Sequence, residues 1–206
     1  MKRFSCLFLA VLLLCGMTAG CRRNMNEPAP TNPTDPTGQT DPTGNQNQAP
    51  TGALEILQTV WASYGEDERF AVIGGDPENM VDGAPGDFSL ADADAVTYSL
   101  ALPAELLPQI DEAASLVHGM LSNNFTCGVV HLVAGTDVSA FTRSVYEAVQ
   151  NSQWMCGMPD HVIVAVVAGE YVLMAYGLDN VISQFQAKLM AAYPNTQIVY
   201  SAAITG

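Results

Sequence analysis

The chain has 206 residues, 49% of them hydrophobic and 14% charged, and carries a formal net charge of −14 at pH 7. From residue 52 onward its basic residues are only Arg69, Arg143 and Lys188, against eighteen Asp and Glu. So acidic a surface cannot neutralise phosphates, which excludes nucleic-acid partners, and no glycine-rich loop is joined to a lysine for phosphoryl transfer.

Lys2 and Arg3 open the sequence, an apolar run from Phe4 to Met17 follows, and Thr18-Ala19-Gly20-Cys21 closes it. That is the three-part layout of an export signal, and the run falls short of the roughly 20 apolar residues of a membrane span. The closing tetrapeptide resembles a bacterial lipobox, with Thr18 where Leu is commoner. The resemblance implies cleavage before Cys21 and acylation of its thiol with palmitate-like chains. Cys15 is the poorer choice, because Leu14 before it is large for a cleavage pocket. Arg22 and Arg23 then lie beside anionic headgroups and add to the attachment. The expected partner is therefore a membrane, reached through the N-terminal lipid. The expected location is the outer face of the bacterial cell membrane, or the outer membrane of a two-membrane cell, since no aspartate follows Cys21.

Residues 21–51 read as a lipid-anchored linker behind a signal peptide of residues 1–20. Pro28, Pro30, Pro33, Pro36, Pro42 and Pro50 alternate with Thr, Asn, Gln and Gly, and Asp-Pro-Thr-Gly occurs at 35–38 and 41–44. Such a stretch buries nothing that offsets its ordering entropy. Its proline content favours an extended spacer of roughly 80–90 Å, at about 3.1 Å per residue.

Residues 52–206 have the length of one domain with a sizeable core. Leu54, Leu57, Trp61 and Tyr64 predict a helix over 54–64, capped by Thr51 and stopped by Gly65. Phe70 to Ile73 suits a short strand, and two turn-rich stretches follow it. Ala95 to Leu100 reads as a strand. After Pro103, the stripe Leu106, Ile110, Ala113/Ala114, Val117 and Leu121 has helical spacing. Thr126–Val133 is rich in strand formers, and Thr136-Asp137 starts a helix with Val138, Phe141, Val145 and Ala148/Val149 inward. His161–Val167 and Tyr171–Tyr176 are strands joined by a hairpin in which Gly169 supplies positive φ. Asp179 opens a helix with Ile182, Phe185, Leu189 and Tyr193 on one face, Asn195 ends it, and Gln197–Ser201 is a last strand. The expected class is α+β, helices packed on a mostly antiparallel sheet, with a ferredoxin-like β-α-β-β-α-β order in residues 126–201. The strand at 161–167 is apolar on both faces and predicts cover on both sides, with the helices around 54–64 and 103–121 as candidates for the second cover.

In the run Leu102-Pro103-Ala104-Glu105-Leu106, in Ala113-Ala114-Ser115-Leu116-Val117-His118, in Gln153-Trp154-Met155-Cys156-Gly157 and around Glu170-Tyr171-Val172, the chain resembles uncharacterised lipoproteins of Gram-positive, clostridial-type bacteria. Some of these are labelled bacteriocin transport accessory protein. The resemblance covers about residues 95–195. It implies a cell-surface lipoprotein with no established activity, so no catalytic residue is carried over.

Cys127 and Cys156 are the only cysteines in the domain of residues 52–206. An exported compartment permits a disulfide between them; two buried thiols, or a redox or metal centre with His131 or His161, are the other readings. Cys127 begins one strand, and Cys156 precedes the strand that a crossover places parallel to it. The split places those two strands about 9–10 Å apart, and a bridge needs Cα atoms under about 7 Å. His118, His131 and His161 lack the paired spacing of a zinc site. Asp76, Asp82, Asp87, Asp92 and Asp94 do not follow a calcium-loop pattern, so they read as an acidic, solvated loop. Trp154, Met155, Met158 and Met120 suit either an apolar groove or, as methionine usually does, core filling. No serine–histidine or metalloprotease motif occurs, and nothing calls for a cofactor. These features point to a tethered, non-enzymatic binding or accessory domain with a protein or small-molecule ligand. The alternative is a thiol- or metal-dependent enzyme with a loop-assembled site near Cys127, Cys156 and His161.

Overall fold

The computed structural model describes residues 49–120, 123–155 and 157–205. The predicted signal peptide, Cys21 and nearly all of the predicted linker lie outside these residues, as does Cys156. Among the described residues no helix is long and apolar enough to cross a membrane.

The chain begins with α1 (Ala53–Ala62) and three short strands, β1 (Val72–Gly74), β2 (Val81–Asp82) and β3 (Gly86–Asp87). It continues through α2 (Ala93–Leu100), a 3-10 turn over Ala104–Gln109, β4 (Ile110–His118) and β5 (Phe125–Leu132). The remainder is α3 (Val138–Gln150), β6 (His161–Val167), β7 (Tyr171–Gly177), α4 (Asp179–Ala192) and β8 (Gln197–Ala203). The strands form one sheet in the order β2-β1-β4-β5-β7-β6-β8, with β3 also paired to β4. Every pairing is antiparallel. The class is α+β, with helices on a mostly antiparallel sheet.

Helices cover both faces. Ile56, Leu57 and Val60 of α1 and Ile182, Phe185 and Leu189 of α4 pack on Leu116, Phe125, Val129, Ile163 and Leu173. The opposite face buries Val96 and Leu100 of α2 and Phe141, Val145 and Val149 of α3 against Val130, Val164, Val172 and Met174. Residues that alternate along one strand thus feed two separate cores, which is why β6 and β7 read as continuous apolar runs.

The element order after residue 125 is the expected one, but the arrangement in space differs from a ferredoxin-like sheet. There the last strand would lie beside the first, with both helices on one face. Here β4 already occupies that edge of β5, and β8 pairs with β6 instead. The crossovers β5-α3-β6 and β7-α4-β8 step the same way across the sheet from antiparallel strands. Right-handed connections then place their helices on opposite faces, as α3 and α4 are.

Residues 93–118 correct two expectations. The predicted strand at 95–100 is α2, because Asp92 caps it by accepting from the N–H groups of Asp94 and Ala95 at 3.0 and 3.1 Å. The predicted helix after Pro103 is a 3-10 turn followed by β4. Its stripe of small and apolar residues also fits a strand buried on both faces, with Ala114 and Leu116 in one core and Ala113 in the other. Pairing to β5 along one edge, and to β1 and β3 along the other, decides the matter. The cover expected from residues 103–121 therefore comes from α2 and α3. At α1 the cap is also different. Gly52 is the N-cap residue, Thr51 turns to Glu55, and Glu112 of β4 accepts from the Ala53 N–H at 2.7 Å.

Candidate functional site

On the face carrying α2 and α3, one end of the sheet is left uncovered between α2 and the segment after α3. The floor is Ser115 and Val117 of β4, Thr126 of β5 and Tyr176 of β7. Three parts of the chain make the walls: the loop from Gly75 to Met80 with Phe88, α2 through Asp94, Thr97, Tyr98 and Ser99, and the segment from Ser152 to Met155. The space enclosed is about 630 Å³, within the range of about 300–1,000 Å³ typical of small-molecule sites.

Local hydrogen bonds hold each wall. The buried Asp76 carboxylate accepts from the N–H groups of Glu78, Asn79 and Ser89 at 2.9, 3.1 and 3.3 Å, and from the Asn79 side chain. Burial pushes that carboxyl up, but the donors from Glu78, Asn79 and Ser89 outweigh it and hold the group below its ordinary value. Ser115 donates to the Gly75 carbonyl at 3.0 Å, joining this wall to the floor. On the other side the Asn123 amide donates to the Gly157 carbonyl at 2.6 Å. Trp154 packs on Tyr176 with ring centroids 5.1 Å apart. Burial pushes the Tyr176 phenol up to about 12, against a hydrogen bond with Thr126 that lowers it. The floor therefore offers a neutral hydroxyl at physiological pH.

The methionines depart from the core-filling expectation. Met155, Met120 and Met158 are 93%, 78% and 52% exposed. Of these, Met155 lines the cavity, as do Met80 and Tyr98, which are 63% and 92% exposed. Trp154 and Met155 line the cavity, as the groove reading has it.

Cys127 and His161 belong elsewhere. Cys127 is a fully buried free thiol in the core beneath α1 and α4, on the opposite face from Trp154. Burial pushes it well above the ordinary value, so the nucleophilic thiolate is suppressed. Cys156, its predicted partner, lies outside the described residues. We expect Cys127 to resist alkylation in the folded protein and to react only on unfolding. Rapid native labelling counted by mass spectrometry would contradict this placement. His161 donates to or accepts from the Ser201 hydroxyl at 2.9 Å, and its other ring nitrogen lies 3.2 Å from Asp179. It ties β6 to β8 and α4. Cys127 and His161 share a sheet face, but β7 separates their strands. Cys127 registers through Ala175 with Ile163, two residues along from His161. They form no catalytic pair.

His131 sits apart again, at the far end of β5. Its Nδ1 meets Asp111 at 2.5 Å, and Nε2 lies 3.8 Å from Glu170. The hydrogen bond to Asp111 raises its pKa most, desolvation opposes it, and the charges of Asp111, Glu170 and Glu112 add to the rise. A raised folded pKa stabilises fully below the unfolded value near 6.5 and fades as pH climbs through the folded value. An NMR titration should therefore give His131 a midpoint above 6.5, with stability falling through that window. A midpoint at or below 6.5 would remove this contribution. Among the described residues no group of three or more His, Cys, Asp or Glu is placed to hold a metal ion.

No family model, curated protein or solved structure matches this chain. Any functional reading therefore stands on the cavity itself. The sequence singled out Trp154 and Met155, but missed Asp76, Phe88, Thr126 and Tyr176 as its neighbours. No local signal marks them, because the fold assembles the lining from seven separate stretches of the chain.

Proposed function

We propose that this chain is a surface-tethered, non-enzymatic binding or accessory lipoprotein, anchored through Cys21 and holding a small ligand in the cavity beside Trp154. The observation that carries the reading is the chemistry of that cavity. Its walls are mainly aromatic and aliphatic, with a few hydroxyl, amide and carboxylate groups, the usual make-up of a ligand site. None of its described lining residues is His, Cys, Lys or Arg, so the polar groups it offers a ligand are hydroxyls, amides and the carboxylates of Asp76 and Asp94. The walls are fixed by hydrogen bonds within the protein, which lowers the ordering cost of binding. A tether and spacer suit a domain that presents such a cavity outside the cell, as the resemblance to Gram-positive surface lipoproteins also implies.

The test is native purification from the producing cells, with and without Trp154→Ala, followed by mass spectrometry of what denaturation releases. A small molecule released from the unmodified protein and missing from the variant is the expected result. Identical release profiles from both would reject the cavity as the site. The tether is tested separately: Cys21→Ala should move the protein out of the detergent phase, and unchanged partitioning of a correctly sized mature chain would reject it.

A further inference from the structure

The charge distribution around the cavity narrows what fits it, on the assumption that the cavity is the binding site proposed above. Among the described residues two carboxylates line it, Asp76 and Asp94, and no cationic side chain does. Asp76 is only 6% exposed, and the donors its oxygens receive are neutral backbone and amide N–H groups. Its charge is solvated by the protein but not cancelled. Asp94, in the first turn of α2, makes no ion pair among the described residues and stands exposed at the mouth. Arg69, Arg143 and Lys188, the three basic residues of the folded part, all lie outside the lining.

Aromatic faces complete the picture. Trp154 and Tyr176 meet at 53° and 5.1 Å and both line the cavity, where aromatic rings attract a cation through their quadrupoles. Phe88, buried, and Tyr98, exposed, also line the cavity. An anion entering here would shed water beside two uncompensated carboxylates and gain no positive partner. A cation would gain both the carboxylates and the rings.

We infer that the cavity selects a small organic cation, with an apolar body against Trp154 and Tyr176 and an ammonium group toward Asp76 and Asp94. The carboxylates set the sign of charge, the rings accept the apolar body, and the exposed methionines adapt the mouth to its shape.

Three probes on one frame separate charge from shape: naphthylmethylammonium, naphthylmethanol and naphthoate. Their binding to the full chain in non-ionic detergent is followed by saturation-transfer NMR and calorimetry. Trp154→Ala, checked for folding by circular dichroism, controls for partition into detergent. The ammonium should bind about tenfold more tightly than the alcohol, a factor typical of one added charge or cation–π contact, and naphthoate should bind weakest. Asp94→Asn, at an exposed position, should shrink that preference several-fold and leave the alcohol unchanged. It should also fold if Trp154→Ala does not. Trp154→Ala should weaken all three. Naphthoate binding as tightly as the ammonium, or a preference untouched by Asp94→Asn, overturns the cation inference while the cavity stands as a binding site. Binding by none of the three, or binding indifferent to Trp154→Ala, overturns the site as well.

Discussion

Phe125→Ala is expected to lower the unfolding free energy by about 3–5 kcal/mol, the cost of removing a fully buried phenyl ring and leaving a cavity. Phe125 opens β5 and is completely buried beneath α1 and α4. Its ring meets Phe185 of α4 at 5.2 Å and Phe70 at 5.4 Å, so its loss unsupports a helix and the approach to β1 together. Urea denaturation followed by circular dichroism measures the change. Met155→Ala, which removes a side chain 93% exposed, is the control and should shift stability by less than about 0.5 kcal/mol. Equal effects from the two variants would mean that the core is not where the structure puts it.

Gly74→Ala should be nearly as damaging, for a different reason. A Cβ there would lie 2.2 Å from the Gly86 nitrogen, 2.5 Å from the Ala84 carbonyl oxygen and 2.5 Å from the Pro85 carbonyl carbon. All three are backbone atoms, so no side-chain rotation relieves the clash. β1 must move away from the 84–86 segment, at a cost of about 3 kcal/mol by the scale of overpacked interiors. Because Asp76 follows β1 and Phe88 follows β3, and both line the cavity, ligand binding should fall along with stability. Gly83→Ala is the comparison. Gly83 has a positive φ of 74° but open space around its would-be Cβ, so only the left-handed backbone penalty of about 1–2 kcal/mol applies. A larger loss at Gly83 than at Gly74 would reject the close backbone approach.

What the sequence revealed of the fold depended on how many faces each element buries. α3 and α4 each bury one stripe and α3 has an aspartate cap, so period and boundary signals agree and both were legible. β6 and β7 bury both faces, yet a short hairpin between two apolar runs identifies them. β4 also buries both faces, but its alanines and serine carry little strand preference. A spacing of three to four in 106–117 then looks helical. Its true identity is settled by partners far along the chain. The same non-local pairing decides the sheet order, which separates this fold from a ferredoxin-like one despite an identical run of elements.

The site was legible only at one wall. A tryptophan beside an exposed methionine stands out in any reading of residues 152–158. Thr126 and Tyr176 do not, because in sequence they are unremarkable members of apolar strands. They become a polar floor only when α2 and α3 leave that end of the sheet uncovered. Cys127 and His161 drew attention by residue type alone, and the structure gives them packing and tethering roles instead.

The most direct measurement is a crystal structure of the chain grown with naphthylmethylammonium. The naphthyl ring should lie against Trp154 and Tyr176, with the ammonium nitrogen on the side of Asp76 and Asp94. A ring bound elsewhere on the domain, or the same cavity empty at saturating probe, would contradict this placement.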